Sequence, residues 1–154
     1  MKPASYSQVY IHLVFSPKGR RSLLTEKIED KVYRFIGQTI VNRNHKPYLI
    51  NGMPDHIHIL LGLNPVQAIS DLVHDIKRCS SLYINENQLL DCRFSWQEGY
   101  GVFSYGKSQV KMISNYILNQ KEHHQKMNFR SEYVGFLNRY GIAFEVPYLL
   151  EFYD

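Results

Sequence analysis

The chain switches repeatedly between two spacings of apolar residues, one of period two and one of period 3.6. Tyr6 to Phe15 is rich in Tyr, Val, Ile and Leu with partial alternation, which predicts a first strand, and the turn-forming, cationic run Ser16-Pro17-Lys18-Gly19-Arg20-Arg21 ends it. From Thr25, a candidate N-cap, apolar residues at Ile28, Val32, Phe35, Ile36 and Ile40 predict a helix running to about Asn44. Pro47 to Met53 and His56 to Leu63 read as two strands joined by the turn Pro54-Asp55, hence a hairpin. After Asn64-Pro65, residues Ile69, Leu72, Val73, Ile76 and Tyr83 mark a second helix, with Lys77 and Arg78 towards its polar side and Asn85 to Gln88 at its end. Trp96 to Tyr105 predicts a fourth strand entered through a bend at Gly99 and Gly101 and closed by Gly106. Ser108 is placed to cap a helix whose apolar face is Val110, Ile113 and Ile117 and which runs to about His124. Asn128 is placed to cap a last helix with the aromatic stripe Phe129, Tyr133, Phe136, Leu137 and Tyr140, a pattern of packing rather than of a binding box.

The order βαββαβ followed by two helices is the split βαβ arrangement: an α+β, ferredoxin-like (RRM-like) domain with a four-stranded antiparallel sheet. Helices on one face would leave the other open to a ligand such as nucleic acid. No linker or repeat interrupts the order, so residues 1–154 are expected to form one domain. Its βαββαβ core would span 1–106, a helical segment 107–126, and a C-terminal helix and tail 127–154.

The 154 residues are 44% hydrophobic and 14% aromatic, enough for one core of this size. A net charge of +4 makes polyanions plausible partners, and twelve tyrosines and eight phenylalanines would suit base stacking where any of them reach the surface. Cys79 and Cys92 are too far apart for a CxxC pair and read as reduced thiols. No run approaches the roughly 20 apolar residues of a membrane span. A cytoplasmic location is the resulting expectation.

His56-Ile57-His58 is the segment with chemistry in it. Alternation along a strand sends both imidazoles to one face, roughly 6 to 7 Å apart at Cα, where two neutral nitrogens can converge on a cation. The alternative is a pair of hydrogen-bonded core histidines. In the later helix Tyr116 and Gln120 are four apart and share a face at about 6 Å. A phenol can serve as a nucleophile and a carboxamide oxygen as a metal ligand, although on spacing alone an amphipathic helix with a boundary tyrosine is the better reading. Gly99-Tyr100-Gly101 lacks the remainder of any phosphate-cradling loop. His12, His123 and His124 have no assigned role: each could contact DNA or metal, or serve packing and capping.

Taken in order, three segments resemble the single-tyrosine HUH transposases of insertion sequences, the TnpA-like enzymes that act on single-stranded DNA. They are Pro54-Asp55-His56-Ile57-His58, Trp96-Gln97-Glu98-Gly99-Tyr100-Gly101-Val102-Phe103-Ser104, and Tyr116-Ile117-Leu118-Asn119-Gln120 followed by His123-His124. His12-Leu13-Val14-Phe15-Ser16-Pro17-Lys18 and Phe129-Arg130-Ser131-Glu132-Tyr133 are also similar to family segments, so the resemblance covers most of the chain. Asn119-Gln120 departs from the Asn-Pro of a domesticated branch and points to a mobile-element enzyme.

The resemblance implies that His56, His58 and Gln120 hold one divalent cation, Mg²⁺ or Mn²⁺, and that Tyr116 is the nucleophile. Its product would be a 5′-phosphotyrosine link and a free 3′-OH, which permits rejoining without ATP. It also implies single-stranded DNA hairpins at element ends as the partner, and a homodimer in which the tyrosine helix of one chain can serve the other. Lys18, Arg20, Arg21, Lys77 and Arg78 are the candidate DNA contacts. Two rival readings stand beside this one: a metal-dependent phosphodiesterase that uses water in place of Tyr116, and a non-catalytic single-stranded nucleic-acid binding module.

Overall fold

A computed structural model describes residues 5–145 and residue 149. Its elements are β1 (Tyr10–Phe15), α1 (Glu26–Asn42), β2 (Lys46–Met53), β3 (His56–Gly62), α2 (Ile69–Glu86), β4 (Gly101–Tyr105), α3 (Val110–Leu118), α4 (Gln120–His123) and α5 (Phe129–Arg139), with 3₁₀ turns at Lys18–Arg20 and Lys107–Gln109. The four strands form one antiparallel sheet in the order β2-β3-β1-β4, which is the expected split βαβ topology and an α+β fold.

Each face of the sheet carries its own buried cluster. Ile11, Leu13 and Phe15 of β1 and Ile57, Ile59 and Leu61 of β3 meet Ile28, Val32, Ile36 and Ile40 of α1 and Leu72, Val73, Ile76 and Ile84 of α2. On the opposite face Val14, Leu60, Phe103 and Tyr105 meet Ile113 and Ile117 of α3 and Phe129, Tyr133, Phe136 and Leu137 of α5. This second cluster corrects the expectation of an open face, because the aromatic stripe of α5 buries itself on the sheet. The central strand β3 is therefore covered on both sides, and His56 to Leu61 are all buried. Each apolar residue fully buried there stabilises the fold by about 1.5–3 kcal/mol, and the two histidines interrupt that run on the α3 side.

Four local expectations are corrected. β1 begins at Tyr10 instead of Tyr6, and β4 at Gly101 instead of Trp96. Trp96 makes one isolated bridge with Pro17 and buries its indole against Phe15 and Phe94, with its N–H donating to Ser80 Oγ at 2.8 Å. Ser108 does not cap the tyrosine helix: it lies inside the 3₁₀ turn, and the Gln109 side chain accepts from the Gly106 N–H instead. The single helix predicted from Ser108 to about His124 is broken at Asn119, which separates α3 from α4. Asn128 does cap α5, accepting from the Ser131 N–H at 2.9 Å.

The hairpin that presents the histidines depends on a close backbone approach. A Cβ at Gly52 would stand 2.3 Å from the His56 carbonyl oxygen. Gly52→Ala is expected to force the hairpin apart and cost about 1–3 kcal/mol, read as a lower urea midpoint at unchanged slope. A midpoint equal to that of the parent chain would refute the steric account.

Candidate metal and tyrosine site

His56 and His58 project from β3 onto the α3–α5 face, fully buried, with rings 5.1 Å apart at their centroids. Their Nε2 atoms converge on one group that sequence reasoning left without a role, the carboxylate of Glu132 on α5. Glu132 Oε1 lies 3.3 Å from His56 Nε2, 3.1 Å from His58 Nε2 and 3.1 Å from His124 Nε2. Gln120, at the start of α4, brings Oε1 to 3.1 Å from His56 Nε2, and its Nε2 donates to Glu132 Oε2 at 2.9 Å. The Tyr116 hydroxyl, from the last turns of α3, donates a short hydrogen bond to Glu132 Oε2 and lies 3.2 Å from His123 Nε2. The helix break at Asn119 does not separate Tyr116 from Gln120, since both reach the same carboxylate oxygen.

The surrounding groups fix the two imidazoles. Asp55 Oδ1 is 2.7 Å from His56 Nδ1, and Arg20 is ion-paired with Asp55 at 3.4 Å, which directs His56 Nε2 inward. Phe129 stacks on the His56 ring at 4.1 Å and 4°. His12 Nε2 is 2.7 Å from His58 Nδ1. With Glu132 as a carboxylate, donor and acceptor matching assigns an Nε2–H to His58, directed at Glu132, and an Nε2–H to His12, directed at His58.

Burial and charge pull the local pKa values in opposite directions. Burial works against the charged form of His56, but hydrogen bonds to Asp55 and Glu132 outweigh it and raise its pKa above the ordinary histidine value. Burial dominates at His58 and, with the nearby His58 ring, at His12, and lowers both. Burial would raise the pKa of Glu132, but the imidazoles around it hold the carboxyl far below the usual carboxylate range. Burial and then the Glu132 charge raise the Tyr116 phenol. Apart from any added cation, the phenol therefore keeps its proton at neutral pH.

His56, His58, His124 and Glu132 offer ligand atoms within 4.8 Å of one another, a group able to hold a metal ion. Three imidazoles, a carboxylate and the nearby carboxamide suit a divalent first-row cation. His56, His58, His124 and Glu132 would hold such an ion, which would supply Lewis acidity there. His124 and Glu132 carry no short motif around them. Both lie in segments similar to the family, His123-His124 and Phe129-Arg130-Ser131-Glu132-Tyr133, and a carboxylate on the buried side of an aromatic stripe needs partners, but no ligand role followed for either.

The five candidate DNA contacts are scattered. Lys18 and Arg21 are exposed beside the first turn, and Arg78 is exposed on α2. Arg20 is buried against Asp55, and Lys77 donates to the carbonyl oxygens of Gln97 at 2.8 Å and Gly99 at 2.7 Å. These two charges are committed within the fold. Lys77 and Arg78 also sit on the helix that covers the face away from Tyr116.

Residues 5–120 match the family model described as Transposase IS200 like. The chain is 32% identical over 117 residues to the transposase for insertion sequence element IS200 of Salmonella typhimurium, covering 72% of this chain and 76% of that protein. It is 25% identical over 120 residues to the ISDra2 transposase TnpA of Deinococcus radiodurans, covering 75% of this chain and 86% of that one. Among solved structures it resembles a transposase candidate from Deinococcus radiodurans R1, with a TM-score of 0.62 and 22% identity over 78% of this chain and 96% of that one. It also resembles a REP-associated tyrosine transposase bound to a REP hairpin, with a TM-score of 0.58 and 16% identity over 80% of this chain and 74% of that one. At these identities both structures bear on the fold alone. Among the described residues no helix is long and apolar enough to cross a membrane.

Glu132→Ala would leave three imidazoles, a carboxamide and a phenol without their shared acceptor. It is expected to lower unfolding free energy by about 3–5 kcal/mol in chelator-treated protein, with Glu132→Gln losing less, measured by urea titration. Equal stability of Glu132→Ala and the parent would show that the carboxylate does not organise the site.

Proposed function

Since this chain belongs to the IS200-like transposase family, we propose that it cleaves and rejoins single-stranded DNA with Tyr116 as nucleophile and a divalent cation held by His56 and His58 with Gln120. One observation carries the reading: a phenol and a histidine pair from separate elements meet on a single carboxylate. Spacing in the sequence did not require that meeting. The bound cation would act as a Lewis acid on a non-bridging oxygen of the scissile phosphate.

The chain's own residues account for the rest. Glu132 Oε2 accepts the phenolic hydrogen and orients the Tyr116 oxygen. Attack forms the tyrosyl O–P bond and breaks the bond from phosphorus to the 3′-oxygen, with the phenolic proton passing on to the departing 3′-oxygen, leaving a 5′-phosphotyrosine and a 3′-OH. Attack by a 3′-OH on that link reverses the exchange and restores the phenol. Asp55 and His12 hold the histidines in place, and burial excludes the water that would hydrolyse the intermediate.

Hairpins at element ends are the substrate this reading favours, and Lys18 and Arg21 supply exposed cations for phosphates, while Arg78 lies on the other side of the sheet from Tyr116. The nitrogen-rich donor set favours Mn²⁺ over Mg²⁺ as the better-held ion. The reading includes a homodimer in which the 3₁₀ turn Lys107–Gln109 lets the tyrosine helix of one chain reach the histidines of another.

Incubation of labelled single-stranded DNA from the element's ends with Mn²⁺ is expected to give a denaturation-resistant protein–DNA adduct. Tyr116→Phe and His58→Ala should each abolish it. Cleavage that survives in Tyr116→Phe would favour water as the nucleophile and overturn the assignment. Mixing the two inactive variants should restore the adduct if the helix crosses between chains; no restoration would confine the chemistry to one chain. Mn²⁺ at about a hundredfold above its Kd should stabilise the parent by about 2.7 kcal/mol, seen as a higher Tm, and leave His58→Ala unmoved.

A further inference from the structure

The corner of the sheet farthest from the histidines carries a second site on the same face. Tyr10, Gly62 and Lys46 lie in one row across β1, β3 and β2. The register of β2 slips between Pro47 and Leu49, and the extra residue is Tyr48. A bulge of this kind re-aims one side chain, and here the Tyr48 ring folds across Gly62. A Cβ on Gly62 would stand 3.2 Å from that ring, so the glycine is what lets the aromatic lie over the sheet. Tyr10 closes the other side, with ring centroids 5.6 Å apart at 52°, and Lys46 Nζ lies 5.2 Å from the centre of the Tyr48 ring.

These residues line a cavity of about 650 Å³, together with Gln8, Asn44 and Asn64. None of its described lining residues comes from α3, α4 or α5. The reason lies in the path of α3, which starts after β4 at one edge of the sheet and ends against Asn51 of β2 at the other. That diagonal leaves the Tyr48 corner uncovered, and Tyr48 is 42% exposed.

We propose that Tyr10, Tyr48 and Lys46 form a nucleobase-stacking subsite for single-stranded DNA on the sheet face that carries Tyr116. The inference rests on the reading of the chain as a DNA-strand transferase. Two aromatic faces at a wet surface with an ammonium beside them match a base and its phosphate, and the amides around them can meet base edges. Gly62 stands four positions along β3 from His58 and six from His56, about 13 to 20 Å along the strand. At about 3.4 Å per stacked nucleotide, a strand seated here reaches the tyrosine site within about four to six nucleotides.

The test is fluorescence anisotropy with labelled oligo(dT) and with an abasic strand of the same length, without added metal. Tyr48→Ala should weaken binding of oligo(dT) by about fivefold to a hundredfold, the loss expected for one stacked base. Tyr48→Phe should bind as the parent does, and neither change should alter binding of the abasic strand. Lys46→Ala should weaken both strands and flatten the salt dependence. Parent-like binding of oligo(dT) by Tyr48→Ala, equal losses on the two strands, or a parent that does not prefer the strand with bases would each overturn the proposal. Adduct formation is read separately in the metal-dependent assay, so failure of the adduct chemistry and failure of the subsite are separately visible.

Discussion

One buried carboxylate organises the α3–α5 face of this protein. Glu132 accepts from or faces three imidazoles, a carboxamide and a phenol, contributed by β3, α3, α4 and the loop beyond it. A charge at that depth is tolerable only when its lone pairs are taken up, and each partner in turn needs a polar group to answer its own burial. The carboxylate and its ring of donors therefore define one another's positions. α5 is held to the sheet by this polar knot as well as by its aromatic stripe, and Tyr116 and the histidines are held together through it.

Much of this was legible in the chain. The α+β order, the β2–β3 hairpin and the placement of His56 and His58 on one face follow from spacing, because a strand period of two leaves no other arrangement once Ile57 and Ile59 turn to the α1–α2 core. Tyr116 and Gln120 were also visible as neighbours. Glu132 and His124 were not, since their role arises only when α5 folds back on the sheet, a long-range contact that no local period encodes. The break at Asn119 was hidden for a related reason: the apolar face of α3 ends at Ile117, and the residues beyond it face polar partners.

The supposedly open face illustrates the same limit. The aromatic stripe of α5 is packing, as its spacing predicts, yet what it packs against is the sheet face expected to be open. Cationic residues proved the least informative signal. Arg20 and Lys77 look like phosphate contacts in a list of charges, but one orients Asp55 behind His56 and the other ties two loop carbonyls. Charge at a turn says little until its carboxylates and carbonyls are known.

Phe129 lies flat on the His56 ring, and the ligand nitrogens beneath it have no exposure to solvent. A phosphodiester is a wide, charged group and has no path to those nitrogens while that plate is in position. Under the reading proposed above, the cover over His56 would have to move before a strand met the histidines. Burial thus sets two demands against each other at the same rings: it fixes the imidazoles and it closes them to anything outside.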